Sequence, residues 1–153
     1  VVVAIAVGLL TTVGEPTGAA SSFGFAALMV LLGAFEGCVL GLAQAGVLRT
    51  RLPRLRPRSW IVATIIGAVT AWGLGMVPSV WASLGEPTAP VSSVELATST
   101  VFLLASLMGA VLGVVLAWPQ GQVLQRYVNR AHWWLPANAI AWAGHANYLL
   151  GCR

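Results

Sequence analysis

The chain reads as an all-α protein, a polytopic integral membrane bundle of about five transmembrane helices, and three observations lead there. Of its 153 residues 58% are hydrophobic and 8% charged, against about 25% charged in an average soluble chain. All 8 basic residues are arginine and all 4 acids are glutamate, too few to cover a water-soluble globule of this size. The apolar residues also fall in five runs, each bounded by turn residues or arginine. The net charge of +4 counts a few loop arginines, so their positions carry more meaning than their sum.

A bilayer core about 30 Å thick takes about 20 helical residues. The first run, Val1 to Val13, is shorter. With no Met or basic flank before it, it reads either as the end of a helix that begins upstream or as a signal-peptide core; the repeat described below favours the helix. The second, Phe23 to Leu48, is long enough to span and holds Glu36 near its middle. The third, Trp60 to Leu84, contains Pro78, and the fourth, Val94 to Val123, contains Pro119. Each proline removes a backbone donor that lipid cannot replace, which predicts a kink or an end to the helix. The fifth, Trp133 to Cys152, closes the bundle.

Arg49, Arg51, Arg54, Arg56 and Arg58 fill the link between runs two and three, and Arg126 and Arg130 the link between runs four and five. The other links carry Glu15, Glu86 and Glu95 and no arginine. Seven of the 8 arginines thus share one side, with Arg153 the exception, and the positive-inside rule makes that side cytoplasmic in a bacterial inner membrane. Trp60, Trp133 and Trp134 fall where an inner aromatic belt belongs, and Trp81 suits the outer one.

Internal repetition is the most specific signal. Gly-Glu-Pro-Thr occurs at Gly14 to Thr17 and at Gly85 to Thr88, followed by Ser21-Ser22 and by Ser92-Ser93. Gly37-x-Val39-Leu40 with Gln44, Val47 and Leu48 then matches Gly113-x-Val115-Leu116 with Gln120, Val123 and Leu124. After a two-residue offset, Trp60 with Ala63 matches Trp134 with Ala137. The chain therefore divides into one repeat over about 1–58, a second over about 59–130, and a closing helix over about 133–152, all within one transmembrane domain. Copies two spans apart are parallel repeats about an axis along the membrane normal.

The pattern Gly-x-x-x-Gly-x-x-Gln-x-x-Val-Leu-Arg, an arginine-rich link, then Trp-x-x-Ala resembles a motif of small multi-span bacterial membrane proteins of unassigned function. The resemblance covers most of residues 33 to 75 and, with less fidelity, 109 to 145. In the second copy Gln125 replaces the arginine and Pro119 interrupts the run, so that copy is diverged. The resemblance implies the fold and no activity.

Membrane helices associate through close packing of small residues and interhelical hydrogen bonds. Gly33, Gly37 and Gly41 in run two, and Ala105, Gly109, Gly113 and Ala117 in run four, form stripes at four-residue spacing. Their alignment predicts that runs two and four cross closely near the pseudo-symmetry axis. Gln44 and Gln120 recur at one depth near the arginine side, where their amides can bond across the repeat interface.

Glu36 is the clearest chemical candidate, since a carboxylate inside a span calls for a proton, a cation or a partner; cementing helix packing is the other explanation. Asn138, Ala141, His145 and Tyr148 lie on one face of run five. His145 there suits a helix-to-helix hydrogen bond, or less readily ligation of a metal, a chlorin magnesium or a haem iron. The run Arg49 to Arg58, broken by Pro53 and Pro57, sets topology and is suited to anionic lipid headgroups or a cytoplasmic partner. Tethered at the membrane with only Trp60 for stacking, it is no nucleic-acid surface.

Cys38 and Cys152 sit at different depths, which argues against a disulfide. No P-loop, G-x-S-x-G, H-E-x-x-H or aspartate occurs, so metal-assisted hydrolysis and phosphoryl transfer lack their usual ligands. The expectation is therefore a non-catalytic accessory or scaffold subunit, without a resident cofactor, packed among other membrane-protein subunits. Its alternatives are a small proton- or ion-coupled homo-oligomeric transporter using Glu36, and a pigment- or haem-binding subunit using His145.

Overall fold

A computed structural model describes residues 19–85 and 97–151 as four α-helices, with no strand among the described residues. In chain order they are α1 (Ala19–Arg51), α2 (Pro57–Leu84), α3 (Thr98–Leu124) and α4 (Trp134–Gly151), the last entered through a 3-10 turn at Ala131–Trp133. The expected first run, the repeated Gly-Glu-Pro-Thr loops apart from Gly85, and Cys152 lie outside the described residues. Ser21 and Ser22 belong to the first turn of α1 rather than to a loop.

Three of the helices, α1, α2 and α3, are long and apolar enough to cross a membrane. The 33 residues of α1 make about 50 Å of helix, so it outruns a bilayer core of about 30 Å. Helix α4 has 18 residues, but Asn138, His145 and Asn147 lower its hydropathy, and it is not among the three. The apolar surface points outward: Leu31, Phe35, Val47, Leu103 and Ile140 are each more than 60% exposed, which lipid tolerates and water does not.

Local chemistry explains the helix ends. Arg49 and Arg51 in the last turn of α1 complement its carbonyl dipole. Pro57 stands at the start of α2, where its missing N–H is no loss. Pro78 and Pro119 both lie inside continuous helices. The expectation that either ends its helix is corrected: each removes one bond from a ladder that resumes beyond it.

The helices stand in an arc in which each packs on its neighbour in sequence, α1 on α2, α2 on α3 and α3 on α4. No Cα of α1 comes within 8 Å of one in α3, so the expected crossing of runs two and four is overturned. The glycine stripes face their hairpin partners instead. A Cβ on Gly37 would lie 2.8 Å from Ala68 Cβ, and one on Gly41 3.0 Å from Ile61 Cα. A Cβ on Gly33 would collide with the Trp72 indole. On α3, a Cβ on Gly109 would lie 2.6 Å from the Trp142 carbonyl oxygen, and one on Gly113 2.7 Å from that of Asn138. Short links make sequential helices neighbours, and the glycines let those backbones approach.

The two hairpins meet where α2 crosses α3. A Cβ on Gly67 would sit 2.6 Å from the Leu116 carbonyl oxygen, so backbone touches backbone there. At the arginine end the arc is filled by Ala45, Leu55, Trp60, Leu124 and Ala131. The links also touch, through an Arg56 backbone N–H that donates to the Tyr127 hydroxyl at 3.4 Å.

Candidate functional site

The concave side of the arc holds two polar features in succession, a closed amide cluster near the arginine end and an open cavity beyond it. The cluster begins with Trp60, which is 0% exposed and donates its indole N–H to Gln44 Oε1 at 3.2 Å. Trp134 makes the counterpart bond to Gln120 Oε1 at 3.0 Å. Gln120 Nε2 joins the two pairs, donating to Gln44 Oε1 at 3.1 Å and to Thr64 Oγ1 at 3.0 Å. Five side chains of three types, each costly to bury alone, thus satisfy one another and tie α1, α2, α3 and α4 together. The Trp60 and Trp134 rings also meet edge to face at 5.6 Å.

Two tryptophans expected at an aromatic belt are therefore inside. Trp60 is fully buried and Trp134 half-buried, whereas Trp133 is 64% and Trp81 77% exposed. The belt rule sorts tryptophan by depth only, and an indole N–H that finds an amide at that depth turns inward. Thr64 was not singled out from the sequence, yet a parallel was visible: it follows Trp60 by four residues as Asn138 follows Trp134. Each bonds the carbonyl one turn back, Thr64 to Trp60 at 2.9 Å and Asn138 to Trp134 at 2.8 Å.

Beyond the Gly67–Leu116 crossing the hairpins part around a cavity of about 320 Å³ to which all four helices contribute. Glu36 and Leu40 come from α1, Trp72 and Met76 from α2, Leu112 and Leu116 from α3, Trp142 and His145 from α4. The walls are apolar and aromatic; the polar groups are the Glu36 carboxyl and the His145 ring. Glu36 Oε2 accepts the Trp72 indole N–H at 3.2 Å, a pairing across 36 positions that no spacing in the sequence signals. Trp72 reaches it because Gly33, one turn before Glu36, leaves room for the indole. His145 is exposed and stands edge-on to Trp142 at 5.9 Å.

The face read along α4 divides. Asn138 is turned towards α3 and bonds within its own helix, His145 lines the cavity, and Ala141 and Tyr148 are exposed. Cys38 is a free thiol of intermediate burial. Among the described residues no three of histidine, cysteine, aspartate and glutamate come together as a metal site. Arg49, Arg51, Arg54, Arg56, Arg58, Arg126 and Arg130 are all exposed at one end, and Arg49 borders a surface depression with Gly46, Thr50 and Pro53.

The Trp72–Glu36 bond is testable by a double-mutant cycle. Trp72→Phe combined with Glu36→Leu is expected to show a coupling of about 0.5–1.5 kcal/mol in unfolding titrations. Additive single effects would mean that the bond contributes nothing to stability.

Comparison with protein-family models, with curated proteins and with solved structures gives no match.

Proposed function

We propose that the protein is a non-catalytic integral membrane protein of the bacterial cytoplasmic membrane, an accessory subunit that offers a larger assembly a pocket inside the bilayer. The observation that carries this reading is Glu36 in an apolar cavity between two hairpins that are clasped at one end. A carboxyl group kept at such depth has a use beyond packing. The glycine faces, by contrast, are occupied within the chain, so partner subunits would meet the exposed leucine, phenylalanine and valine surface.

In this reading the arginine end is cytoplasmic, as the positive-inside rule requires, and the exposed guanidinium groups lie against anionic headgroups. The hairpins α1–α2 and α3–α4 are diverged copies, a view supported by their matching tryptophan–glutamine bonds and matching four-residue followers. The copies differ where Glu36 aligns with Leu112, which leaves one carboxyl group on one wall.

A transporter reading is opposed by the amide cluster. A path along the concave side must pass Gln120 and Trp60, which are both 0% exposed, with the two amide hydrogens of Gln120 and its oxygen already bonded.

Intact mass measurement after mild solubilisation tests the proposal. The expected result is a complex containing a second kind of polypeptide; a homo-oligomer and nothing else would sink the subunit reading. Reconstituted alone, the protein is expected to carry no proton or cation flux. A flux that Glu36→Gln abolishes would make it a transporter instead.

A further inference from the structure

We infer that the cavity at Glu36 is a binding site for a lipophilic organic cation, such as a quaternary phosphonium or ammonium group carrying aromatic or alkyl substituents. The inference rests on the pocket reading above and adds the chemistry of what enters it.

Charge is the first argument. Glu36 is the only acid among the described residues, and every described arginine stands at the other end of the bundle. Arg49 follows Glu36 on the same helix by 13 residues, about 20 Å along the axis. No arginine of the described chain therefore reaches this carboxylate, His145 lines the same cavity without a hydrogen bond or ion pair to it, and Trp72 supplies one neutral donor to one of its oxygens. Oε1 has no bonded partner among the described residues. A carboxylate at low dielectric is stabilised by an opposite charge close by, and a cation entering the cavity would supply it.

The walls select which cation. A hard metal ion takes six or more oxygen ligands, and this cavity offers one carboxyl group and no metal cluster. The cavity that Glu36 lines is walled by two indoles, Trp72 and Trp142, by Leu40, Leu112 and Leu116, and by the His145 ring. Indole faces attract a cation through the ring quadrupole, the more so where water is excluded, and the leucines accept its apolar substituents. A charge spread over an apolar body loses little hydration on entering, unlike a sodium ion or a primary ammonium. A neutral acyl chain would fill the same walls and leave the carboxylate without a counter-charge.

The test uses the full chain in nanodiscs of zwitterionic phosphatidylcholine, with empty nanodiscs subtracted. Equilibrium dialysis compares methyltriphenylphosphonium with triphenylphosphine oxide, a neutral compound of nearly the same shape. The wild type is expected to bind the phosphonium at least tenfold more tightly than the oxide. Glu36→Gln is expected to remove that preference while still binding the oxide, and Trp142→Ala to weaken the phosphonium more than the oxide. The wild-type comparison needs no substitution, so a variant that fails to fold does not decide the matter. Equal binding of the two compounds by the wild type would overturn the cation class and leave the pocket standing. Phosphonium binding untouched by Glu36→Gln in a folded variant would place the cation elsewhere and overturn the inference. Binding of neither compound would overturn both the inference and the pocket beneath it.

Discussion

Replacing Gln120 with alanine is expected to destabilise the bundle by roughly 2–4 kcal/mol. Three hydrogen bonds end on this side chain, to Gln44, Thr64 and Trp134. Each such bond in a membrane is worth about 0.6 kcal/mol on average and up to about 1.7. Truncation also opens a void where Gln120 is 0% exposed, and it leaves the Trp134 N–H without its acceptor. The measurement is a reversible unfolding titration in mixed micelles with sodium dodecyl sulfate. Gln125→Ala is the control, because that residue is exposed and its side chain bonds only Gln122 of the neighbouring turn; it should change stability by less than about 0.5 kcal/mol. Equal effects of the two substitutions would mean that the amide cluster does not hold the helices together.

Gly67→Leu is expected to act at least as strongly, by separating the hairpins. The glycine stands against the Leu116 backbone, with 2.6 Å from its would-be Cβ to the carbonyl oxygen and 3.0 Å to the Cα. Backbone cannot rotate away as a side chain can, so the crossing must open. Overpacking in a core costs about 1–3 kcal/mol and more where nothing yields. Cavity binding should fall with it, since Ala68 and Leu116, at and beside the crossing, both line the pocket. Gly46 has nothing within 4 Å of its would-be Cβ, and Gly46→Ala is expected to gain up to about 1 kcal/mol of helix propensity. If Gly67→Leu left stability and binding unchanged, the close crossing would not be what sets the hairpins' spacing.

The helices themselves were legible in the sequence. Apolar length and arginine punctuation place run two at Phe23 to Leu48 against Ala19–Arg51 in the structure, and run five at Trp133 to Cys152 against Trp134–Gly151. Such boundaries follow from transfer energies residue by residue, which need no knowledge of neighbours. Partnership was not legible in the same way. A stripe such as Gly33, Gly37 and Gly41 announces a close approach but not what approaches; α2 does, because the link between them is short. Gly33 and Gly109 align in the sequence, but each faces its own neighbouring helix, at Trp72 and at Trp142, and they share no contact.

The candidate site was half legible. Glu36, His145, Gln44 and Gln120 stood out because polar groups inside apolar runs are scarce. That Glu36 and His145 face one cavity, and that Trp60 and Gln120 donate to one Gln44 oxygen, depends on helix rotation, which a two-sided apolar helix hardly encodes. Trp72, Trp142 and Thr64 passed unnoticed because tryptophan and threonine are ordinary in a span. Trp72 takes its meaning from the Glu36 acceptor, Thr64 from the Gln120 amide that donates to it, and Trp142 from the cavity it lines.

The amide cluster also carries an order of biogenesis. Of the four described helices a ribosome delivers α1 and α2 before the others, and Trp60 can bond Gln44 as soon as both are made. When α3 follows, its Gln120 finds the Gln44 oxygen and the Thr64 hydroxyl already positioned. The Gln120 oxygen then remains open for the Trp134 N–H of α4, the last of the four described helices in chain order. Each later segment brings the group that its predecessors lack, so the cluster can be completed in the order of synthesis without breaking a bond already made.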